Sequence, residues 1–328
     1  MSGKKILFTQ PWEVSMVTEF DKYVQPLIDR GCEIILDPVK TSLTEEQTIE
    51  RMPGLYAHVC GADTHTARSL EYADQLKVIS RIGVGYDSVD IAACTKKGVA
   101  VTITPGASAE TVSEFALAMI MCMTRNVINN ERLLRSGKWG RSTGPSLYRK
   151  TLGIAGLGHI GKKLAQIVSG FDMKVIAFDP KQDPEFASAN GIEYVSKEEL
   201  IANSDYISLH LPMSDANRNF IGESELKDMK KSAMLVNCSR GGLVDELALY
   251  HALKEHEIAF AALDVFVNEP IDMENPLLSL DNFIATAHNA GTSHEGKNAI
   301  VKVAVENLLA IMDGKRPEGL LNPAALDK

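Results

Sequence analysis

Three side chains in the carboxyl-terminal half of the chain have the types needed for proton transfer on an anionic substrate. Arg240 lies in VNCSRGGLVDE, Glu269 in LDVFVNEP and His288 in ATAHNAGTSHE. An arginine fork can bind a carboxylate bidentately. A histidine can give and take a proton near neutral pH, and a glutamate can hold the imidazole and raise its pKa. Each type also has an ordinary structural use in a loop, so the fold has to bring them together.

The glycines in TLGIAGLGHIGKKLA have the spacing G-x-G-x-x-G. The apolar run before Gly156 is typical of a strand, and the pattern after Gly161 is typical of a helix. In a dinucleotide site the first glycine permits the tight turn and Gly158 lets the backbone approach a pyrophosphate. The third glycine allows close packing of helix and strand. Free N–H groups near His159 and Ile160 would then face the phosphates.

The next predicted strand, MKVIAFDP, ends in Asp179. An acid at this position can bind both hydroxyls of the adenosine ribose and would repel a 2′-phosphate, which predicts NAD rather than NADP. NAD implies hydride transfer, and Arg240, Glu269 and His288 offer the groups that a keto substrate then needs. For His159 we expect a solvated or phosphate-facing position rather than a catalytic one.

Strands alternate with helical segments twice along the chain, which predicts an α/β fold with two doubly wound parallel sheets. The first alternation contains KKILF, CEIIL, LYAHVC, LKVIS and VAVTI and ends near Pro105. The second has about six parallel strands, in TLGIAGL, MKVIAFD, YISLHL, AMLVNCS, FAALDVF and FIATAH. Arg240, Glu269 and His288 each follow a strand of the second sheet, at the edge where ligands of such folds bind.

Long helical patterns flank the second sheet, one from Ser108 to Gly137 and one from Ser293 to near Gly314. We therefore expect the second sheet to be inserted into the first domain. Residues 1–104 and 292–328 would form a substrate domain, and residues 105–291 an NAD-binding domain.

The composition argues against several classes of protein. The chain of 328 residues has a net charge of −9 and no basic block, which argues against a nucleic-acid partner. No apolar run reaches the roughly 18 residues of a membrane span, and the amino-terminal segment lacks a signal-peptide pattern, so we expect a cytoplasmic protein. The histidines show no familiar zinc spacing, and no metal is expected. An odd number of cysteines without a C-x-x-C pair favours buried free thiols: Cys32, Cys60, Cys94, Cys122 and Cys238.

Together these segments resemble the D-isomer-specific 2-hydroxyacid dehydrogenase family over nearly the whole chain. The motifs that carry the resemblance are GLGHIG, NCSRGGLVDE, LDVFVNEP and AHNAGTS, in the family's order. RIGVGYDSVD, followed by KKGVAVTITPGA, is similar to the family's first-domain signature. The resemblance implies a discontinuous flavodoxin-like substrate domain, an inserted Rossmann domain that binds NAD, and a homodimer built largely through the long helix.

The resemblance also implies roles for individual residues. Arg240 would bind the substrate carboxylate and keto oxygen, His288 would protonate the keto oxygen, and Glu269 would hydrogen-bond His288. Backbone amides around Val84 and Gly85 would hold the carboxylate from the other domain, and closure of the domains would exclude water. The residues implied at the cofactor are Leu211 and Pro212 beside the adenosine, Cys238 and Ser239 along the nicotinamide, Asp264 at its carboxamide, and Gly291.

Within the family, the run GKWGRSTGPSLYRKTLGIAGLGHIGKKLA is most similar to bacterial D-3-phosphoglycerate dehydrogenases, and that activity is the leading expectation. Two positions depart from the pattern. The loop Cys60–Thr66, CGADTHT, lacks the arginine that members acting on phosphoglycerate usually carry there, and Ser108, a candidate substrate-binding residue, stands where asparagine is common. Reduction of hydroxypyruvate or glyoxylate is therefore the alternative. An NAD-sensing corepressor that binds partner proteins is the alternative from a different class.

Overall fold

The computed structural model describes residues 3–9, 17–37 and 41–327, and the chain divides into two compact units. The first unit contains Met1–Ser108 and Thr292–Lys328, and the second contains Ala109–Gly291. The strands of the described residues are β1 (Lys5–Thr9), β2 (Glu33–Leu36), β3 (Leu55–Cys60), β4 (Val78–Arg81), β5 (Ala100–Thr102), β6 (Thr151–Ala155), β7 (Lys174–Phe178), β8 (Glu193–Tyr194), β9 (Tyr206–Leu209), β10 (Met234–Asn237), β11 (Phe260–Leu263) and β12 (Phe283–Ala285).

Seven of the α-helices begin where a polar side chain accepts a free N–H group of the first turn. Thr44, Thr66 and Ser196 form capping boxes, and Asp90, Asp183, Asp245 and Ser293 cap with their side chains. The α-helices of the described residues are α1 (Phe20–Ile28), α2 (Glu45–Arg51), α3 (Ala67–Glu71), α4 (Ile91–Lys97), α5 (Ala109–Thr124), α6 (Val127–Arg135), α7 (His159–Val168), α8 (Pro184–Ala189), α9 (Lys197–Asn203), α10 (Glu223–Asp228), α11 (Glu246–Lys254) and α12 (His294–Met312).

The first unit has a five-stranded sheet in the order β2-β1-β3-β4-β5, with parallel pairing throughout. This is the flavodoxin-like order, and it confirms the predicted fold class for the unit. Apolar clusters lie against the sheet, and one of them contains the inner side of α12.

The carboxyl-terminal segment belongs to the first unit. Ser80 on β4 donates its hydroxyl to the carbonyl of Ala304 on α12 at 2.8 Å. After α12 the chain runs beside β5, where the N–H of Leu321 donates to the carbonyl of Val101 at 2.9 Å. The segment after α12 also contains a short 3₁₀ helix over Pro323–Asp327.

The second unit has a seven-stranded parallel sheet in the order β12-β11-β10-β9-β6-β7-β8. This is the Rossmann order with one further strand beyond β11. The sequence predicts about six strands and misses β8, a two-residue edge strand with no buried residue. The order places β6 beside β9, so the chain leaves these two neighbouring strands toward opposite sides of the sheet. Ligands bind in the crevice at such a switch point.

The prediction of one continuous helix from Ser108 to Gly137 is wrong. It is two helices, α5 and α6, bent by 61° at a short break. Asn126 in that break has a left-handed backbone with φ of 49°, a conformation that asparagine tolerates better than most residues. No single helix of the described residues is long and apolar enough to cross a membrane, although the bent pair passes that test when its two halves are taken together.

Candidate active site

The glycine-rich loop joins β6 to α7 with the backbone close to its neighbours. Gly156 has φ of +98°, and a Cβ there would lie 2.6 Å from the carbonyl oxygen of His210. A Cβ on Gly161 would lie 2.2 Å from the carbonyl oxygen of Gly156, so only glycine lets the helix approach the loop. Gly158 faces open space, and His159, which is exposed, and Ile160 form the start of α7. The loop therefore offers free helix N–H groups to a phosphate that approaches over Gly158.

Asp179 follows β7 and joins the strand end to the glycine loop. Its Oδ2 accepts the N–H of Leu157 at 2.8 Å, and its Oδ1 accepts the N–H of Lys181 at 2.7 Å. The carboxylate thus lies beside the loop, where an acid that binds ribose hydroxyls is required. Each oxygen keeps a further lone pair for a hydroxyl donor.

Leu211 and Pro212 follow β9 on the other side of the switch point. Leu211 is buried, and its carbonyl accepts the hydroxyl of Ser239 at 2.6 Å. Pro212 is exposed, and its carbonyl accepts the side-chain amide of Asn217 at 2.8 Å. The segment after β9 is therefore tied to the turn after β10.

The turn after β10 presents Arg240 at the edge of the sheet. Asn237, which is fully buried, accepts the N–H of Ser239 at 3.0 Å and donates to the carbonyl of Arg240 at 2.7 Å. One guanidinium nitrogen of Arg240 donates to the carbonyl of Ser239 at 2.7 Å. Cys238 between them is buried, and burial raises the pKa of its thiol. The two hydrogen bonds of Asn237 could not be predicted from the sequence, because they depend on the geometry of the turn.

Asp264 directly follows β11 and holds the turn that contains His288. Its Oδ1 accepts the hydroxyl of Thr286 at 2.6 Å and the N–H of Asn289 at 2.7 Å, and its Oδ2 accepts the N–H of Ala290 at 2.8 Å. The N–H of His288 donates to the backbone carbonyl of Asp264 at 2.8 Å. The family resemblance implies only a role at the cofactor for this aspartate, whereas in the structure its side chain shapes the turn.

His288 and Glu269 form a hydrogen-bonded pair beyond the ends of β11 and β12. The Nδ1 of His288 lies 2.7 Å from Oε2 of Glu269, and Oε1 of Glu269 accepts the N–H of Phe266 at 2.9 Å. Because a carboxylate only accepts, Nδ1 carries the proton and Nε2 is left for another partner. The side chain of His288 is 56% exposed, so that partner can come from solvent or substrate.

The pair changes the pKa of both members. The hydrogen bond from His288 to Glu269 raises the pKa of His288, although burial works against this. Burial would raise the pKa of Glu269, but the hydrogen bond and charge of His288 outweigh it and the pKa is lowered. The charge of Arg240 lowers both values slightly. The imidazole therefore keeps its proton to a higher pH than an isolated histidine, as a proton donor near neutral pH requires.

The other candidate residues have their own surroundings. In the first unit Val84 is exposed, and the carbonyl of Gly85 accepts two guanidinium N–H groups of Arg81 at 2.9 and 2.7 Å. Ser108 ends the first unit in a half-buried turn. Gly291 ends the second unit with open space around its Cα. The sequence analysis did not identify Arg81 or its hydrogen bonds to Gly85. The only sign in the sequence is its position at the end of a predicted strand.

The sequence of this chain is similar to a known family model and to characterised proteins. A family model described as "D-isomer specific 2-hydroxyacid dehydrogenase, NAD binding domain" matches residues 117–290. The chain is 41% identical over 266 residues to a glyoxylate reductase of Korarchaeum cryptofilum, a match that covers 79% of this chain and 80% of that protein. It is 40% identical over 288 residues to a D-3-phosphoglycerate dehydrogenase of Methanocaldococcus jannaschii, covering 87% of this chain but 55% of that protein.

Solved structures agree with these relatives. A glyoxylate reductase from Paecilomyes thermophila has a TM-score of 0.84 at 27% identity, over 98% of this chain and 99% of that one. The NAD-complexed form of a D-isomer specific 2-hydroxyacid dehydrogenase from Lactobacillus delbrueckii ssp. bulgaricus has a TM-score of 0.78 at 26% identity, over 97% and 100%. The chain therefore belongs to the D-isomer specific 2-hydroxyacid dehydrogenase family, and it is an oxidoreductase that acts on CH–OH donors with NAD as its cofactor.

Proposed function

We propose that the protein reduces a short 2-keto acid to the D-2-hydroxy acid, with His288 as the proton donor. The observation that supports this best is the His288–Glu269 pair, at 2.7 Å, beyond the strand ends of the unit that carries the glycine loop. NADH, when bound, would supply the hydride for the keto carbon. His288 Nε2–H gives its proton to the keto oxygen as the C=O double bond becomes a C–O single bond. In the reverse direction the neutral imidazole takes the hydroxyl proton back.

The remaining candidates have supporting roles in the proposal. Arg240 binds the carboxylate and the keto oxygen through its fork of N–H groups, which fixes the carbon to be reduced. Val84, Gly85 and Ser108 are the candidate substrate-binding residues of the first unit. Residues assigned to the cofactor are Gly156, Gly158, His159, Ile160, Gly161, Asp179, Leu211, Pro212, Cys238, Ser239, Asp264 and Gly291.

The loop after β3 lacks a cation that could bind a substrate phosphate, so it favours an unphosphorylated substrate. Within this loop, Asp63 and His65 are fully buried, and no lysine or arginine occurs from residue 60 to residue 66. The next cation along the chain, Arg68, pairs with Glu45 at 2.8 Å and with Glu46 at 3.1 Å. We therefore put glyoxylate or hydroxypyruvate first. Phosphohydroxypyruvate is the second candidate, favoured by similarity to the D-3-phosphoglycerate dehydrogenases.

The test is NADH oxidation with glyoxylate, hydroxypyruvate and phosphohydroxypyruvate, each over a range of concentrations. The proposal expects the largest kcat/KM for one of the two unphosphorylated acids. A larger kcat/KM for phosphohydroxypyruvate would replace the substrate assignment and keep the reaction. NADH binding without turnover of any 2-keto acid would instead favour a binding protein such as a corepressor.

Asp179→Ala is expected to narrow the preference for NADH over NADPH. The wild-type carboxylate binds ribose hydroxyls and repels a 2′-phosphate. A hydrogen bond to a charged group contributes about 1.5–3 kcal/mol, so NADH should bind roughly 10–100-fold more weakly. The measurement is kcat/KM for each cofactor at saturating keto acid. Asp183→Ala, which removes a nearby acid paired with Lys162, is the control and should leave the ratio unchanged. A fixed ratio in Asp179→Ala means that another residue binds the ribose.

Glu269→Gln is expected to move the alkaline limb of the reduction profile to lower pH. Glu269 raises the pKa of His288, so in the wild type the donating imidazolium persists to higher pH and activity falls as the pH rises through that raised value. The amide removes the charge that holds the proton. The measurement is kcat/KM for reduction against pH. Glu246→Gln is the control, because Glu246 accepts from Val267 nearby without contacting His288. Superimposable profiles for Glu269→Gln and wild type would exclude this role of Glu269.

The proposal also includes a homodimer in the cytoplasm. The helix α6 has no buried residue, and Trp139 after it is 85% exposed. Exposed apolar groups of this kind mark association surfaces. Five free cysteines fit a reducing compartment. Light scattering on the purified protein measures the assembly, and a mass of one chain would exclude the dimer.

A further inference from the structure

A buried polar cluster lies in the first unit, at the end of β3 and in the loop that follows it. It contains Thr9 at the end of β1, His58 and Cys60 on β3, and Asp63 and His65 in the following loop, all with no exposed surface. His58 and Cys60 are two positions apart on one strand, so their side chains point to the same face of the sheet. A fully buried cluster of this kind must satisfy its polar atoms internally.

The hydrogen-bond partners fix where the protons lie when Asp63 is ionised. Its Oδ1 accepts the N–H of Leu43 at 2.7 Å, and its Oδ2 accepts the hydroxyl of Thr9. A hydroxyl has one proton, so the oxygen of Thr9 must accept from Nε2 of His58, which lies 2.5 Å away. The Nδ1 of His65 faces the backbone carbonyl of Asp63 at 3.1 Å. A carbonyl only accepts, so this nitrogen also carries a proton.

Both imidazoles then have their single proton on the outer side. The two inner nitrogens, Nδ1 of His58 and Nε2 of His65, face each other at 3.0 Å with a lone pair on each. Two lone pairs at that distance repel unless a cation lies between them. One ring nitrogen of each histidine and the thiol sulfur of Cys60 lie within 4.8 Å of one another. These three atoms are therefore close enough to bind a single ion.

Either a metal ion or a proton can occupy the position between the two inner nitrogens, which lie 3.0 Å apart. In the metal-free alternative Asp63 is protonated. Its O–H then donates to Thr9, the hydroxyl of Thr9 donates to His58, and Nδ1 of His58 donates to Nε2 of His65.

We propose that His58, Cys60 and His65 bind one zinc-class transition-metal ion inside the first unit. The ligand atoms are Nδ1 of His58, Nε2 of His65 and the thiolate of Cys60. Zinc binds this combination of imidazole and thiolate, at about 2.0–2.1 Å for nitrogen and 2.3 Å for sulfur. Two nitrogens of such a site lie roughly 3.3 Å apart, so the pair at 3.0 Å needs to move by only a few tenths of an ångström.

The outer groups match those that support histidine ligands in metal sites. Metal-binding imidazoles donate their other N–H to a carboxylate, a carbonyl or a water, which fixes the tautomer. Here His58 does so through Thr9 to the carboxylate of Asp63, and His65 does so to a backbone carbonyl. The spacing H-x-C-x₄-H does not match the familiar zinc patterns, so the sequence alone predicts no metal.

The experiment measures metal content and ligand chemistry in the full chain, purified without a polyhistidine tag or chelator after growth with added zinc. Mass spectrometry of the metal should find about one ion per chain. Protein stripped of metal and titrated with Co²⁺ should show thiolate-to-cobalt charge-transfer absorption. Cys60→Ser should lose that absorption. Cys94→Ser, which changes another fully buried cysteine of the same unit, should keep it.

Two results would overturn the proposal. One is a wild-type protein without bound metal whose melting temperature is unchanged when it is refolded with Zn²⁺. That result assigns the shared position to a proton. The other is cobalt absorption that survives in Cys60→Ser, which places the ion elsewhere. The metal content and melting temperature of the wild type test the metal site even if Cys60→Ser does not fold. Neither measurement depends on turnover of a keto acid, so the test is independent of the proposed function.

Discussion

Replacing His288 by asparagine is expected to lower kcat for keto-acid reduction by about 10²–10⁴-fold, the usual contribution of a positioned proton donor. Asparagine is chosen because His288 has a left-handed backbone with φ of 50°, which asparagine tolerates and alanine does not. The turn held by Asp264 should therefore survive. The measurements are kcat from steady-state NADH oxidation and NADH affinity from fluorescence titration.

A loss of kcat without a loss of NADH affinity would distinguish a proton donor from a residue that binds the cofactor. NADH binding should stay within a few-fold of wild type, because the proton donor acts on the substrate oxygen. His251→Asn changes an exposed histidine of the same unit and should leave kcat unaffected. A near-normal kcat in His288→Asn would remove His288 from the reaction and leave the pair with Glu269 as a structural contact.

Local patterns allowed the cofactor loop and the strand-end residues to be predicted. The glycine spacing in residues 156–161 describes one tight turn, and its contacts lie within one βαβ unit. Arg240, Glu269 and His288 are far apart in sequence, but each follows a strand. Parallel strands bring their carboxyl ends to one edge, so proximity could be expected without knowing any distance.

Features that depend on non-local contacts could not be predicted. The apolar pattern continues through the break between α5 and α6, so the sequence predicts one helix. The break is visible only in the structure, where Asn126 has a left-handed backbone. The three hydrogen bonds of Asp264 join residues more than 20 positions apart. In the buried cluster, Thr9 meets Asp63 across 54 positions. No sequence periodicity predicts such pairs, because the tertiary packing of strands and loops determines which residues meet.

Replacing Arg240 by alanine is expected to lower kcat/KM for the keto acid by about 10²–10⁴-fold. The proposal gives its guanidinium two charge-assisted hydrogen bonds to the substrate, each contributing about 1.5–3 kcal/mol. Arg240→Lys keeps the charge but loses the planar fork, so it should recover only part of the loss. Steady-state kinetics over a range of keto-acid concentrations gives kcat and KM, and melting temperature reports whether the turn after β10 is intact.

The pH profile separates a direct role of Arg240 from a general loss of structure. The charge of Arg240 lowers the pKa of His288, so its removal should let the imidazole keep its proton to still higher pH. The alkaline limb of reduction in Arg240→Ala should therefore move upward, opposite to the shift expected for Glu269→Gln. Arg218→Ala, which removes an exposed arginine paired with Asp215, is the control and should change neither kcat/KM nor the profile. An unchanged kcat/KM in Arg240→Ala would exclude it from substrate binding, and a limb that moves downward would show that the His288–Glu269 pair had been disrupted instead.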